Sequence, residues 1–208
     1  MNYFRTLWLF CAMALTTQAT HASLLDFASD AHTHEKGHAT LSYSGAWGNL
    51  NITAHANNDD DNTQFAYMDA NYGGLGACKD IDTNAQCAPG NDDNVNTGEW
   101  LTFVFDRDVR ISNLWVNNNH DGGFASGASL WVGGQQLQVK ESGSLLGNYH
   151  AANSIGSFLV AANTAVTLAY HNTQFYVTAL EITGLPEGGS IVLLIIGIIG
   201  LVIVRHRT

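Results

Sequence analysis

Positively charged residues are scarce in this 208-residue chain, which has 8 lysines and arginines against 18 aspartates and glutamates and a formal net charge of −10. Between residues 23 and 184 the imbalance is sharper, because all the carboxylates except Glu187 lie there. An acidic surface repels phosphate backbones, so nucleic acid is not an expected partner, whereas divalent cations are. The positive residues in this range are Lys36, Lys79, Arg107, Arg110 and Lys140.

Recognisable catalytic motifs are also missing. The sequence has no Gly-x-Ser-x-Gly elbow, no His-Glu-x-x-His helix and no phosphate-binding loop. Asp106 and Asp108 would suit a glycosidase only if they faced each other across a cleft, and carboxylates around an arginine are more typical of a turn. We therefore predict that the protein is not an enzyme.

Cysteine is limited to three residues. Cys11 lies in an N-terminal segment that we expect to be removed, which leaves Cys78 and Cys87 as a pair. In an exported domain such a pair predicts a structural disulfide. A metal or redox site would need further ligands or a Cys-x-x-Cys spacing, and neither is present.

The N-terminus has the layout of a secretory signal peptide. Arg5 precedes an apolar run at residues 7–15, and a polar stretch then leads to Ala22. The alternative, a retained membrane helix, needs about 20 apolar residues, far more than this run provides. We predict a signal peptide at residues 1–22 that is cleaved after Ala22, with Ala19 as the alternative site.

The C-terminus contains a second targeting segment. Residues 191–204 are apolar without interruption, and Arg205 and Arg207 follow them. We predict a short transmembrane helix at residues 190–204, with its arginines on the cytoplasmic side and the preceding domain outside the cytoplasm. A buried core helix, the alternative, would normally have a polar face, and this segment has none.

The segment at residues 185–208 resembles the sorting signal of the PEP-CTERM proteins. The match consists of Pro186 and Glu187, the glycines of the apolar helix, and Arg205 with Arg207, and it departs from the usual motif at Gly188. The resemblance implies an exosortase-type processing enzyme as partner and cleavage near Pro186. It also implies that the membrane anchor is temporary, and that the protein reaches the cell surface or extracellular polymer of a Gram-negative bacterium.

Residues 23–184 are long enough for one domain with a sizeable core. Their apolar pattern alternates with the period of β-strands, and no stretch has a helical repeat. Turn residues such as Asp106-Arg107-Asp108 and Gly133-Gly134 separate the alternating runs, and Gly133-Gly134 predicts a tight hairpin. The candidate strands are residues 39–43, 50–54, 64–68, 99–106, 109–116, 129–132, 137–139, 157–160, 165–170 and 175–182.

This pattern predicts an all-β ectodomain without helices, folded as an antiparallel, jelly-roll-like β-sandwich. A closed barrel is the alternative, but a sandwich better accommodates the long loop between Asp69 and Glu99. That loop contains both remaining cysteines, and loops of this length are usually functional or cross-linked. Together with the glycines before Cys78, it resembles a recurring ectodomain of exosortase-dependent surface proteins, a resemblance that implies no activity.

Three clusters of polar residues are candidate metal sites. Asp92, Asp93, Asn94 and Glu99 supply hard oxygen ligands of the kind that calcium prefers, and they are the first candidate. The second is the acidic run at residues 57–62, for which a solvated loop tip is the better interpretation. The third is the histidine group at residues 32–38, which we expect to be a mobile entry segment rather than a zinc or copper site.

Exposed aromatic rings would favour sugar binding, because they stack on the apolar faces of pyranoses. Trp47 lies between Gly45 and Gly48 and is the predicted glycan platform. Trp115 and Trp131 lie within candidate strands, where packing in the core is the commoner role.

Together these features predict an exosortase-sorted, non-enzymatic cell-surface or extracellular-matrix protein. The sorting signal further implies an association with exopolysaccharide or biofilm. Calcium is the one candidate cofactor, and a solvated acidic turn is the alternative for its site. The alternatives are a lectin-like carbohydrate-binding module, with Trp47 or Tyr72 at its site, and a secreted hydrolase, which would need a cleft between two carboxylates.

Overall fold

A computed structural model describes residues 22–57, 64–71, 73–90, 92–118, 123–140 and 153–185. Most of the predicted signal peptide, the sorting motif with its helix at 190–204, and Tyr72 lie outside the described residues. The same holds for most of the acidic run at 57–62. Within the described part of the chain, no helix is long and apolar enough to span a membrane.

The described chain folds into strands and one short helix, α1 at Phe27–Thr33. The strands are β1 Ala22–Asp26, β2 Lys36–His38, β3 Leu41–Gly45, β4 Gly48–Ala56, β5 Phe65–Asp69, β6 Gly74–Cys78, β7 Glu99–Phe105, β8 Val109–Asn117, β9 Ser129–Val132, β10 Gln135–Gln138, β11 Asn153–Val160, β12 Ala165–Tyr170 and β13 Tyr176–Gly184.

These strands form two antiparallel sheets, which confirms the predicted all-β sandwich. Sheet A has the order β11-β8-β13-β6-β5-β2, and β1 also pairs with β13. Sheet B has the order β10-β9-β12-β7-β4-β3. β13 pairs with β8 along one edge. Along its other edge β13 pairs with β6 at Val177 and with β1 at Ala179–Thr183.

Alternating sequence explains the two-layer architecture. In β7 the side chains of Leu101, Phe103 and Phe105 are fully buried. Trp100, Thr102 and Val104 alternate with them and are half-buried on the opposite face. The buried side chains of both sheets join one hydrophobic core. Burial of each such side chain contributes about 1.5–3 kcal/mol, so this shared core is what holds the sheets together.

The predicted hairpin at Gly133-Gly134 is confirmed. Val132 pairs with Gln135, which leaves the two glycines as the whole turn, and both have positive φ (55° and 81°). This is the backbone that a tight two-residue hairpin requires and that glycine adopts without strain.

The expectation of no helix and a mobile segment before residue 39 was wrong. The Asp26 side chain accepts a hydrogen bond from the Ser29 backbone N–H and caps α1. Phe27 and Ala31 are fully buried in the main core, where the Phe27 ring meets Tyr43 edge to face. A helix this short has no marked periodicity, and its stability comes from this packing rather than from propensity.

The loop between Asp69 and Glu99 also differs from expectation, because it contains β6. All five residues of β6 are buried and three of the first four are small, so the segment has no alternation that would reveal a strand. It is held between β5 and β13. Gly76 is required here, since a side chain would collide with the Asp93 carbonyl oxygen.

The sandwich has two distinct ends. The exit end consists of the turns at residues 45–48, 106–108 and 161–164 together with Leu185, whose N–H donates to the Asp108 carbonyl oxygen (2.9 Å). The far end consists of residues 92–98, 123–128 and 171–175, and Val95 pairs there with Phe175. Because β7 runs from the far end to the exit end, Trp100 lies about 17 Å from Phe105 along the strand.

Candidate functional site

The predicted calcium ligands lie at the far end, but they turn towards different partners. Asn96 lies between two of them: its side-chain N–H₂ donates to Asp92 Oδ1 (3.1 Å) and its backbone N–H donates to Glu99 Oε2 (2.9 Å). The other Glu99 oxygen accepts from Gln64 Nε2 (3.0 Å). Glu99 is buried, so these donors compensate for its lost hydration.

Asp93 is directed elsewhere, because its Oδ1 accepts the Tyr176 hydroxyl hydrogen bond at 2.6 Å. Asn94 is buried beside β6. Among the described residues, no group of three or more His, Cys, Asp or Glu side chains has the geometry of a metal site. His32 lies on α1, His34 just after it and His38 on β2. These described histidines do not form such a group either.

The predicted disulfide between Cys78 and Cys87 is confirmed, with an S–S distance of 2.00 Å. Both cysteines are buried against Tyr67 and Ile81. The Tyr67 hydroxyl donates to Glu35 Oε1 (2.7 Å), and burial together with this contact raises the pKa of Tyr67 above its usual value. The loop that the bridge closes also bonds to β2, where the Gly37 N–H donates to the Ala85 carbonyl oxygen (2.8 Å).

Asp106 and Asp108 are turn residues at the exit end. Asp106 Oδ1 accepts from the Asn49 backbone N–H (2.8 Å) and its Oδ2 from the Asn49 side chain (2.6 Å). Asp108 Oδ1 accepts from the Ala162 backbone N–H (2.7 Å). These carboxylates therefore join neighbouring turns.

The prediction that Trp47 is exposed was wrong. Trp47 is only 4% exposed, and its ring packs against Phe105 edge to face, with centroids 5.8 Å apart. The flanking glycines, which suggested an open loop, instead let the β3–β4 turn fold back, with Gly48 at a φ of 103°. Trp47 also packs against Gly184, so it closes the exit end of the core.

Another surface has one exposed and one half-buried tryptophan, Trp131 and Trp100. We call it the outer face of sheet B, meaning the side chains of sheet B that point away from the core. None of these residues is Asp, Glu, Lys or Arg, in a chain whose net charge is −10. The face consists of Ser42, Ser44, Asn49, Asn51, Thr53, His55, Trp100, Thr102, Val104, Ser129, Trp131, Gln136, Gln138, Ala165, Thr167 and Ala169.

Five of these residues form a row across adjacent strands. Cross-strand register pairs Gln136 with Trp131, Trp131 with Ala169, Ala169 with Trp100, and Trp100 with His55. Trp131 is 38% exposed, and Trp100 is half-buried. We call this set the aromatic row. It lies in the half of sheet B nearer the far end.

The two tryptophans are each supported by a histidine. The His55 ring is nearly parallel to Trp100 (16°), with centroids 5.4 Å apart, and the His171 ring meets Trp131 edge to face at 5.1 Å. His55 Nε2 lies 2.9 Å from the Thr53 hydroxyl, and His171 Nδ1 lies 3.0 Å from the Ser129 hydroxyl. These contacts restrict the rings before any ligand arrives.

Hydrogen-bonding groups surround the row. Thr53, Thr102 and Thr167 form a second cross-strand row beside it, one strand period towards the exit end. Gln136 donates to the Ser129 hydroxyl (3.2 Å). The surface therefore combines aromatic rings with hydroxyl and amide groups.

Sequence reasoning missed Trp100 and Ala169 and assigned Trp131 to the core. The alternation in β7 contained the information for Trp100: because Leu101, Phe103 and Phe105 face inwards, Trp100 must face outwards. Trp115, in contrast, is buried as expected.

No family model, curated protein or solved structure matches this chain.

Proposed function

We propose that this protein is an exported, non-enzymatic surface or matrix protein, delivered by an exosortase-type system and associated with extracellular polysaccharide. The observation that carries the proposal is the pairing of β1 with β13, the first and last strands of the described residues. Ala22 pairs with Thr183, so the strand that follows the predicted signal peptide lies against the strand that precedes the predicted sorting motif. Removal of both segments would leave this strand pair intact from Ser23 onwards.

The disulfide supports an extracellular setting, because such bridges persist in oxidising compartments. The hydrogen bonds of Asp106 and Asp108 support a non-enzymatic role, since both carboxylates contribute to turns instead of facing a cleft.

The intact mass of the protein recovered from cells and from the medium tests this proposal. We expect an extracellular species that extends from about residue 23 to near residue 186. A cell-bound species that retains Arg205 and Arg207 would contradict exosortase processing. The same measurement in a strain without its exosortase is the control, and there we expect the anchored form.

A lectin-like module is the second candidate, and the outer face of sheet B favours it. We infer in addition that β6–β13 are wound as a jelly roll, because β6-β13-β8-β11 in sheet A faces β7-β12-β9-β10 in sheet B. Jelly rolls recur in lectin domains. This likeness concerns architecture alone, so binding has to be argued from the residues.

Calcium binding at Asp92, Asp93, Asn94 and Glu99 stays a prediction. Asp92 and Glu99 already share Asn96 as a donor, so a bound ion would compete with these hydrogen bonds. A calcium-dependent rise in the unfolding temperature that Asp92→Asn removes would support the site. An unfolding temperature that is the same in calcium and in chelator would contradict it.

A further inference from the structure

We propose that the aromatic row binds an uncharged glycan, with one sugar unit seated over Ala169 between Trp100 and Trp131. The inference rests on the lectin-like candidate function and specifies its site and its class of ligand. Trp47, the glycan platform predicted from the sequence, is buried, and the proposed site lies instead on the outer face of sheet B.

The spacing of the row defines a space of the right size. Trp100 and Trp131 lie on strands separated by β12, so their backbones are about 10 Å apart. Side chains stand roughly perpendicular to a sheet, so the two indoles rise on either side of the Ala169 methyl group. This spacing would leave a depression with a methyl floor and aromatic walls. A pyranose ring can enter it with its C–H faces towards the indoles.

The absence of formal charge decides between ligand classes. A phosphate polymer or an acidic polysaccharide would need lysine or arginine, and the outer face of sheet B has neither. A basic protein would be attracted to carboxylates, and none belongs to the strand residues of this face; the Asp106 carboxylate, which follows β7, accepts from the Asn49 side chain at the exit end, away from the row. Neutral sugars instead present hydroxyl groups, which match the threonine and glutamine side chains around the row.

The twist of the sheet favours a single soluble chain over a crystalline surface. Adjacent strands rotate by about 20–25°, so β7 and β9 differ in direction by roughly 40–50°. Side chains on strands that diverge by this angle are not expected to form the flat platform that a crystal surface would require. The location also suits a ligand outside the cell, because the row lies away from Leu185, where the chain leaves the sandwich.

Affinity electrophoresis of the protein recovered from cells tests the proposal. Native gels would contain hydroxyethylcellulose, galactomannan, dextran or alginate, and retardation would be compared with a gel without polymer. The decisive variant is Ala169→Met, which fills the depression and leaves both tryptophans in place. Ala165→Met is its matched control, since Ala165 lies on the same strand and the same face, outside the row.

We expect retardation in at least one neutral gel and none in alginate. Ala169→Met and Trp131→Ala should each weaken binding at least about tenfold, while Ala165→Met binds like the unchanged protein. Retardation in alginate alone, no retardation in any neutral gel, or equal loss in both methionine variants would overturn the proposal. Pelleting with crystalline cellulose without binding to soluble chains would also overturn it.

A failure of the sorting proposal and a failure of the glycan site would give different results. Intact mass measures processing, and no sorting residue lies in the aromatic row. A correctly processed protein that fails to bind any neutral polymer would contradict the glycan site alone. Size-exclusion chromatography of the same samples would show whether a second copy of the chain covers the face, an outcome that would contradict glycan binding.

Discussion

The exit end and the far end of the sandwich use tryptophan in opposite ways. At the exit end Trp47 is buried against Phe105 and Gly184, and short turns are joined by Asp106 and Asp108. Towards the far end Trp131 remains exposed, and the long loop needs a disulfide. The difference indicates that the exit end closes the core, whereas the other half of sheet B leaves tryptophan rings at its surface, where we propose that a glycan binds.

The largest expected effect is at Trp47. Replacing a buried tryptophan with alanine leaves a cavity and costs about 3–5 kcal/mol, so Trp47→Ala should lower the free energy of unfolding by that amount. Urea unfolding followed by circular dichroism would measure it. If Trp47→Ala does not fold, Trp47→Phe gives a smaller loss that is still measurable.

Trp131→Ala is the matched comparison for this prediction. Because Trp131 is partly exposed, we expect its loss to change the free energy of unfolding by less than about 1 kcal/mol. Equal losses for the two tryptophans, or a larger loss at Trp131, would contradict the distinction between the two regions.

The disulfide gives the second largest effect. Cys78 and Cys87 are nine positions apart in the sequence. For a bridge that closes a loop of this length, the chain-entropy model gives a stabilisation of about 2–3 kcal/mol. Replacing both cysteines with serine should lower the free energy of unfolding by that amount. Reduction of the unchanged protein should have a similar effect and should leave the double variant unaffected. A double variant as stable as the unchanged protein would show that the loop is held by its other contacts.

These two sites show what could be predicted from sequence. The disulfide followed from cysteine arithmetic, and strands such as β9 and β12 followed from alternation, because one buried face leaves a period of two in the sequence. Trp47 was mispredicted because exposure depends on how the β3–β4 turn packs on Gly184, about 137 residues later in the chain, and local sequence contains no such information.

The same limit explains the aromatic row. Its members come from five strands, and only the register of sheet B places Ala169 between Trp100 and Trp131. β6 and α1 were missed for a related reason, since small buried residues and a seven-residue helix produce no clear period.

Glu99→Gln has the third largest expected effect. Both Glu99 oxygens accept N–H hydrogen bonds at a buried position, and a glutamine would direct its own N–H₂ towards one of these donors. We expect a loss of about 1–3 kcal/mol in the free energy of unfolding, measured with urea. Asp93→Asn is the control, because an amide oxygen can still accept from Tyr176. A greater loss in the control would contradict this account of the far end.

The smallest effect is a dependence on pH that distinguishes two exposed carboxylates. Backbone N–H donation from Asn49 lowers the pKa of Asp106, and donation from Gln86 and Asn84 lowers the pKa of Asp82. A lowered pKa means that each carboxylate stabilises the folded protein above its unfolded pKa of about 3.9, and that this contribution is lost as the pH falls through the folded pKa.

Asp106→Asn should therefore lower the urea midpoint at pH 6, and its difference from the unchanged protein should shrink as the pH falls below about 4. Asp82→Asn should show the same trend with a smaller amplitude. Asp106 joins two turns that are 57 residues apart, whereas Asp82 binds residues within a loop that the disulfide already closes. A difference that does not change between pH 3 and pH 6 would contradict the assigned hydrogen bonds. A larger effect at Asp82 would mean that the long loop, and not the exit end, limits the stability of the sandwich.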